Sequence, residues 1–260
     1  MIRSKHHKKA KRRRITLMIL AVTFLYFTAG PILSDKVGEI TTAIPEALPA
    51  VNPVPAAKDK SEAKTMETSA RNRSSEYLIL VNKTHSLNKN YEPKDLTTAD
   101  PVVKGASQYQ KLRKPVAKAF KKLSDAAAKK GMTIKVTSGY RPYSYQKYLF
   151  NKYVDKDGRY RAEQYSAEPG HSEHQSGLCA DVSSPSVNYN LVQAYGTTAE
   201  GKWLASNAHK YGFIIRFPKG KEKITGYEYE PWHIRYVGKA AAKEIRKQKL
   251  TLEEYLEEVD

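Results

Sequence analysis

The longest apolar run in the chain extends from Ile15 to Leu33, 19 residues without a charge. A helix needs roughly 20 apolar residues to cross a bilayer core. Eight Lys and Arg side chains precede the run, and the positive-inside rule keeps such a flank in the cytoplasm. The pattern predicts a cytoplasmic basic tail (1–14), a single-pass transmembrane anchor in the cell membrane (15–33) and a C-terminal part outside. A cleaved signal peptide followed by secretion is the alternative. The length of the run and the lack of a clear A-x-A site favour the anchor, and no cysteine follows closely enough for a lipoprotein. Residues 34–75 reverse the pattern. Pro45, Pro49, Pro53 and Pro55 punctuate an Ala-rich spacer, and a Lys/Glu/Ser/Thr stretch follows. Such a segment cannot bury enough surface to offset its ordering entropy, so a disordered linker is predicted.

Periodic order begins at residue 76 and predicts one domain over 76–260. Tyr77–Val81 reads as a short buried strand, and residues 88–101 are turn-rich. Between Ala106 and Lys130 the apolar residues Leu112, Val116, Phe120, Leu123 and Ala127 recur every three or four positions. That spacing predicts an amphipathic helix with lysines on its other face, stopped by Gly131. Pro115 marks either a kink in it or its true start. A strand at 133–137 runs into the turn 138–141, and a helix covers 143–153. A helix at 199–211 ends at Gly212. Strands follow at 213–217, 227–229 and 234–237, then helices at 239–247 and 251–258. Thr251-Leu252-Glu253-Glu254 is a capping box. Helices and strands mix without a βαβ rhythm, so the class is α+β: a small antiparallel sheet with helices packed around it.

The net charge of +18 first suggests nucleic acid. Eight of those cations precede any acidic residue, and the remaining +10 is spread over 246 residues. There is no Arg-rich helix with interleaved aromatics and no nucleic-acid motif, so no nucleic-acid partner is expected. A basic surface also suits an anionic cell envelope, where it concentrates acidic substrate. Cys179 is the single cysteine. An exported chain cannot form an internal disulfide with it, so the core and any metal must hold the fold. A monomer is expected.

Two segments carry candidate chemistry: Ser172-Glu173-His174-Gln175-Ser176-Gly177-Leu178-Cys179-Ala180-Asp181 and Glu230-Pro231-Trp232-His233. They supply two histidines, one aspartate and, in Glu230, a spare glutamate. Two imidazoles and a carboxylate can hold a zinc ion with its fourth position open to water. A spare glutamate can take a proton from that water. The combination points to a metallohydrolase rather than a structural zinc site. Gly177 separates His174 from Asp181, so a loop carrying His174 should lead into a strand carrying Asp181. In a regular strand Glu230 and His233 would point to opposite faces. Pro231 breaks the ladder, and a bend there brings both to one side, with Trp232 turned into the core. Each segment alone also reads without a metal, as a surface histidine with a turn aspartate, or as a turn before a strand.

Together the segments resemble the VanY-type zinc D-alanyl-D-alanine carboxypeptidases over about residues 77–256. The resemblance includes Ser138-Gly139-Tyr140-Arg141, Pro169-Gly170-His171-Ser172-Glu173-His174-Gln175, Gly212-Phe213-Ile214-Ile215-Arg216 and the run from Glu228 to Gly238. It implies that His174, Asp181 and His233 are zinc ligands in a cleft and that Glu230 is the catalytic base. It also implies that Arg141 lines the substrate site, meeting either the substrate's terminal carboxylate or the developing oxyanion, and that Gln146 and Ser172 contact substrate. Cys179 departs from the family pattern, which usually has a small residue such as alanine there. A fourth ligand would close the site, so Cys179 reads as a small buried hydrophobe. His171 and His209 read as packing or surface residues.

The implied activity is removal of the C-terminal D-alanine from peptidoglycan stem peptides by a membrane-anchored enzyme. L,D-cleavage of tetrapeptide stems is the alternative within the class. A non-catalytic zinc-containing cell-wall-binding module is the alternative outside it. Glu230 argues against the module, since a binding function needs no base beside its metal.

Overall fold

The computed structural model describes residues 76–257 apart from Ser107. The expected tail, anchor and linker lie outside the described residues. Among the described residues no helix is long and apolar enough to cross a membrane.

Strands β1 (Leu96–Thr98) and β2 (Lys111–Arg113) form a small antiparallel pair. Helix α1 (Lys114–Ala128) leaves β2 directly, with Pro115 in its first turn. Proline is at ease there, because its missing N–H has no intrahelical acceptor to lose. Pro115 therefore marks the helix start, and strand replaces the helix expected over the preceding residues. Val116, Phe120, Leu123 and Ala127 are all buried, as their spacing predicted. Strand β3 (Lys135–Ser138) leads to α2 (Tyr143–Asp157), which runs further than expected, and to α3 (Arg159–Tyr165), which the pattern did not announce. Then follow β4 (Cys179–Ser183), α4 (Ala199–Asn207), β5 (Phe213–Phe217) and the short α5 (Glu222–Thr225). Strand β6 (Glu230–Tyr236), α6 (Lys239–Gln248) and α7 (Leu252–Leu256) complete the order. The capping box at α7 is closed: Glu254 N donates to Thr251 Oγ1 at 3.1 Å and Thr251 N to Glu254 Oε2 at 2.7 Å.

Tyr77–Val81 is not a strand. Glu76–Leu78 is a 3-10 turn, and no ladder follows it. The Tyr77 and Ile79 carbonyls instead accept from Arg235 Nη2 at 3.0 and 2.7 Å. A guanidinium thus satisfies backbone groups that a neighbouring strand would otherwise have to pair. Tyr227–Tyr229 is also outside any strand, and β6 starts at Glu230 rather than at residue 234.

Strands β3, β4, β6 and β5, in that order, make a four-stranded antiparallel sheet, in line with the expected α+β class. Strand alternation sorts the side chains of β4 and β6 between its two faces. Ala180, Val182, Ile234 and Tyr236 pack with Phe120, Leu123 and Phe213 in the main core under α1. Cys179, Asp181, His233 and Arg235 take the opposite face, with Asp181 paired to His233 and Cys179 to Arg235 in register. Part of that second face is closed by a smaller core of Ile214, Val237, Ala242, Ile245, Leu252 and Tyr255, built largely from α6 and α7. The rest opens to a cleft walled by α2 and α3.

Candidate active site

The 3-10 turn Glu173–Ser176 delivers His174, and Gly177 at φ +67° redirects the chain into β4. That left-handed conformation favours glycine because a Cβ would clash there. The loop-to-strand arrangement expected for His174 and Asp181 is therefore present. On the other side, the β5–β6 register slips: Ile215 pairs with Ile234, but Phe217 pairs with Glu230. Three residues of β6, Pro231 to His233, stand against one residue of β5. Such a bulge re-aims side chains, and Pro231, which has no N–H for the ladder, sits within it. Glu230 thereby reaches the face of His233, with Oε2 3.7 Å from Nδ1. The bend lies inside one continuous strand rather than ahead of it. Trp232 is half-buried: it packs on the main core, as expected, and also lines the cleft.

Each imidazole is fixed through one nitrogen and presents the other. His174 Nδ1 lies 2.6 Å from Gly139 O, and its Nε2 lies 3.3 Å from Asp181 Oδ2. His233 Nε2 lies 3.2 Å from Glu173 Oε2, and its Nδ1 lies 3.1 Å from Asp181 Oδ1. Metal-binding histidines are held in this way, with an outer partner setting the ring and its tautomer. Burial pushes the Asp181 carboxyl up, but His174 and His233 outweigh it and hold the group well below the usual carboxylate range. Two imidazole nitrogens converging on one carboxylate fit a zinc ion. Cys179 Sγ belongs to the same cluster: it and one ring nitrogen from each of His174 and His233 lie within 4.8 Å of one another. The purely apolar role expected for this cysteine leaves that placement out.

Behind His233 stands a buried charge network that the sequence reading missed. Glu173 Oε1 accepts from Arg216 Nε at 2.7 Å and from Arg235 Nη1 at 2.5 Å, leaving Oε2 for His233. Arg216 also forks onto Glu253 of α7, at 2.9 and 2.6 Å. Burial raises the Glu173 carboxyl, but Arg235 and Arg216 more than offset it, and the group stays ionised well below the usual range. The available signal was two arginines at strand positions among apolar residues, since a buried arginine must be paired.

A cleft of about 310 Å³ opens over the site, lined by Arg141, Gln146, Ser172 and Glu230 together with the His174–Asp181–His233 set. Glu230 is 8% exposed, and burial pushes its carboxyl up to about 8 against the pull of His233. A cation on the neighbouring donors would favour its ionised form. Arg141 emerges from the turn after β3, as expected. Its N–H donates to His174 O at 3.1 Å, and its Nε is buried without a hydrogen-bond partner. Gln146 donates to Ala167 O at 2.7 Å and leaves Oε1 buried without one. Ser172 is buried in the cleft wall. His171, tied through Nδ1 to Asn82 O at 2.7 Å, lines the cleft as well; His209 lines a different pocket.

Gly139 has no room for a side chain. A Cβ there would fall on the Lys111 carbonyl oxygen, and Gly139 N already donates to Tyr109 O at 2.6 Å. Gly139→Ala must displace the carbonyl that orients His174. Metal affinity, measured by zinc titration, should fall by about 10–100-fold; an unchanged affinity would show that this carbonyl does not set the ring.

Two imidazoles and a carboxylate at the floor of a cleft, with a second buried carboxylate beside them, are the arrangement that a metal-dependent hydrolase requires. Residues 109–239 match the VanY family, described as D-alanyl-D-alanine carboxypeptidase. YodJ of Bacillus subtilis (strain 168) is 52% identical over 184 residues, 70% of this chain and 67% of that protein. The solved LdcB LD-carboxypeptidase is 51% identical with a TM-score of 0.66, over 70% of this chain and 86% of that one. A variant of the vancomycin-resistance D,D-pentapeptidase VanY, solved in complex with Zn(II), is 32% identical with a TM-score of 0.59, over 69% and 98%. The chain belongs to the VanY family and is a peptidase hydrolase, a carboxypeptidase.

Proposed function

We propose that the chain removes the C-terminal D-alanine from peptidoglycan stem peptides by zinc-dependent hydrolysis, with the L,D bond of tetrapeptide stems as its preferred target. The observation that carries this reading is the buried Glu230 carboxylate beside the His174–Asp181–His233 set, in a cleft that presents the Arg141 guanidinium. His174 Nε2, Asp181 and His233 Nδ1 would hold the zinc, which when bound lowers the pKa of water to roughly 7 and polarises the scissile carbonyl. Glu230 accepts the proton of the attacking water and passes it to the leaving amine nitrogen. Arg141 meets the terminal carboxylate of the substrate, which confines cleavage to the last residue. Gln146 and Ser172 offer hydrogen bonds along the cleft wall.

The L,D preference is supported by 51% identity to the LdcB LD-carboxypeptidase against 32% to the D,D-pentapeptidase. Cleavage of the D-Ala–D-Ala bond in pentapeptide stems is the second reading, the one the family resemblance implied, and the family description favours it. Measuring kcat/KM on matched tetrapeptide and pentapeptide muropeptides, with D-alanine detected by mass spectrometry, separates the two. The L,D reading expects a tetrapeptide preference of at least about tenfold, roughly 1.4 kcal/mol in the barrier. A pentapeptide preference sinks it in favour of the second reading.

Arg141→Met should raise KM by about 10–100-fold with little change in kcat, the loss of one charged hydrogen-bond partner for the substrate carboxylate. Amidating that carboxylate should slow the wild type to the same level. A fall in kcat at unchanged KM would instead assign Arg141 to the oxyanion. The same reading makes residues 15–33 a single-pass anchor and holds the domain outside the cell, against the anionic envelope that contains its substrate. Protease added to intact spheroplasts should then digest the domain, and protection would contradict the orientation.

A further inference from the structure

Resting on the zinc site proposed above, we infer that Cys179 is itself a metal ligand, so that the centre is built from two imidazoles, one carboxylate and one thiolate. Cys179 and Asp181 stand two apart on β4 and share its site face, opposite Arg235 and His233 of β6. The Cys179 sulfur and one ring nitrogen from each histidine lie within 4.8 Å of one another. Around a tetrahedral zinc, with bonds of about 2.0–2.3 Å, donor atoms stand roughly 3.3–3.8 Å apart. These three donors therefore need to contract by about 1.5 Å at most to close on one ion.

An apolar filler role does not account for this placement. The apolar positions of β4 are Ala180 and Val182, which face the main core. Cys179 turns the other way, toward imidazole nitrogens and charged groups, and it is fully buried there. Burial also answers the objection that a fourth ligand would close the site. His174, Asp181 and His233 line the cleft, but Cys179 is not among the lining residues. Its sulfur approaches from the interior, so the cleft side stays free, and the activated water would be the fifth ligand there, a coordination number that catalytic zinc sometimes reaches. On binding, the S–H bond breaks, the sulfur–metal bond forms and the thiol proton leaves to solvent. A thiolate adds a strong zinc donor, and ligation shields the chain's only cysteine from oxidation.

X-ray absorption at the zinc edge of the zinc-loaded full chain tests this directly. One sulfur at about 2.3 Å is expected in the wild type, with Cys179 as the single source of a thiolate. The cobalt(II)-loaded wild type should likewise show a thiolate-to-cobalt charge-transfer band in the near ultraviolet, absent in Cys179→Ala. Zinc affinity of Cys179→Ala should fall by about tenfold or more. A wild type that binds one zinc through nitrogen and oxygen alone overturns the inference and leaves the His174–Asp181–His233 site standing. A wild type that binds no zinc overturns both. The absorption measurements on the wild type decide the matter whether or not the variant folds.

Discussion

Glu230→Gln lowers kcat by about 10²–10⁴-fold while the chain keeps its zinc. The range is that of a removed general base. Glutamine matches glutamate in shape, so the bulge at Pro231 and the packing around it persist, but the amide cannot take a proton from water. The carboxylate stands 3.7 Å from His233 Nδ1 and almost out of solvent, where burial raises its proton affinity and a cation on the neighbouring donors would lower it again. Retention of metal is the other half of the prediction, because His174, Asp181 and His233 are untouched. Steady-state kinetics and metal analysis of the same preparation check both halves. Full turnover in the variant would remove Glu230 from the mechanism.

Glu173→Gln is the change with the largest expected effect on stability. Its carboxylate serves two fully buried guanidiniums and one imidazole at once. Without it, Arg235 keeps only the Tyr77, Ile79 and Tyr236 carbonyls among its described partners, and Arg216 keeps Glu253. Removing one member of a buried ionic group destabilises by roughly 3–5 kcal/mol, because the remaining charges stay buried and uncompensated. For a domain of this size that corresponds to a fall in Tm of about 6–20 °C. Zinc affinity should fall as well, by about 10–100-fold, since His233 loses the acceptor that fixes its ring. Glu253→Gln is the control: it loosens Arg216 from α7 but leaves the Glu173–His233 contact, so it should lower Tm and spare zinc affinity. Thermal unfolding and zinc titration of both variants check the pair. Equal zinc affinity in wild type and Glu173→Gln would show that Glu173 only supports the fold.

The residues that the structure brings together in the candidate site were legible because their chemistry and spacing are local. His174, Asp181, Glu230 and His233 sit in two short segments, and Pro231 announced the bend that the β6 bulge supplies. The α1 stripe was legible for the same reason: Val116, Phe120, Leu123 and Ala127 repeat at the helical period. What escaped depends on distant partners. Five apolar residues at Tyr77–Val81 look like a strand, yet the Tyr77 and Ile79 carbonyls are bound by Arg235, more than 150 positions away. Glu173 adjoins His174 in sequence, and nothing local to it announces a role. Its role exists only because Arg216 and Arg235 reach it from two other strands. Cys179 was read as a small hydrophobe because a fourth ligand would close the site, whereas its place on the face of Asp181 and His233 depends on the β4–β6 pairing.

The most direct test is the release of free D-alanine from a tetrapeptide muropeptide by the zinc-loaded full chain, followed through chelation and metal return. One D-alanine should be released per peptide, lost on chelation and recovered when zinc is restored. Release that survives complete removal of metal would contradict the account, as would no release from either tetrapeptide or pentapeptide stems by protein with zinc bound.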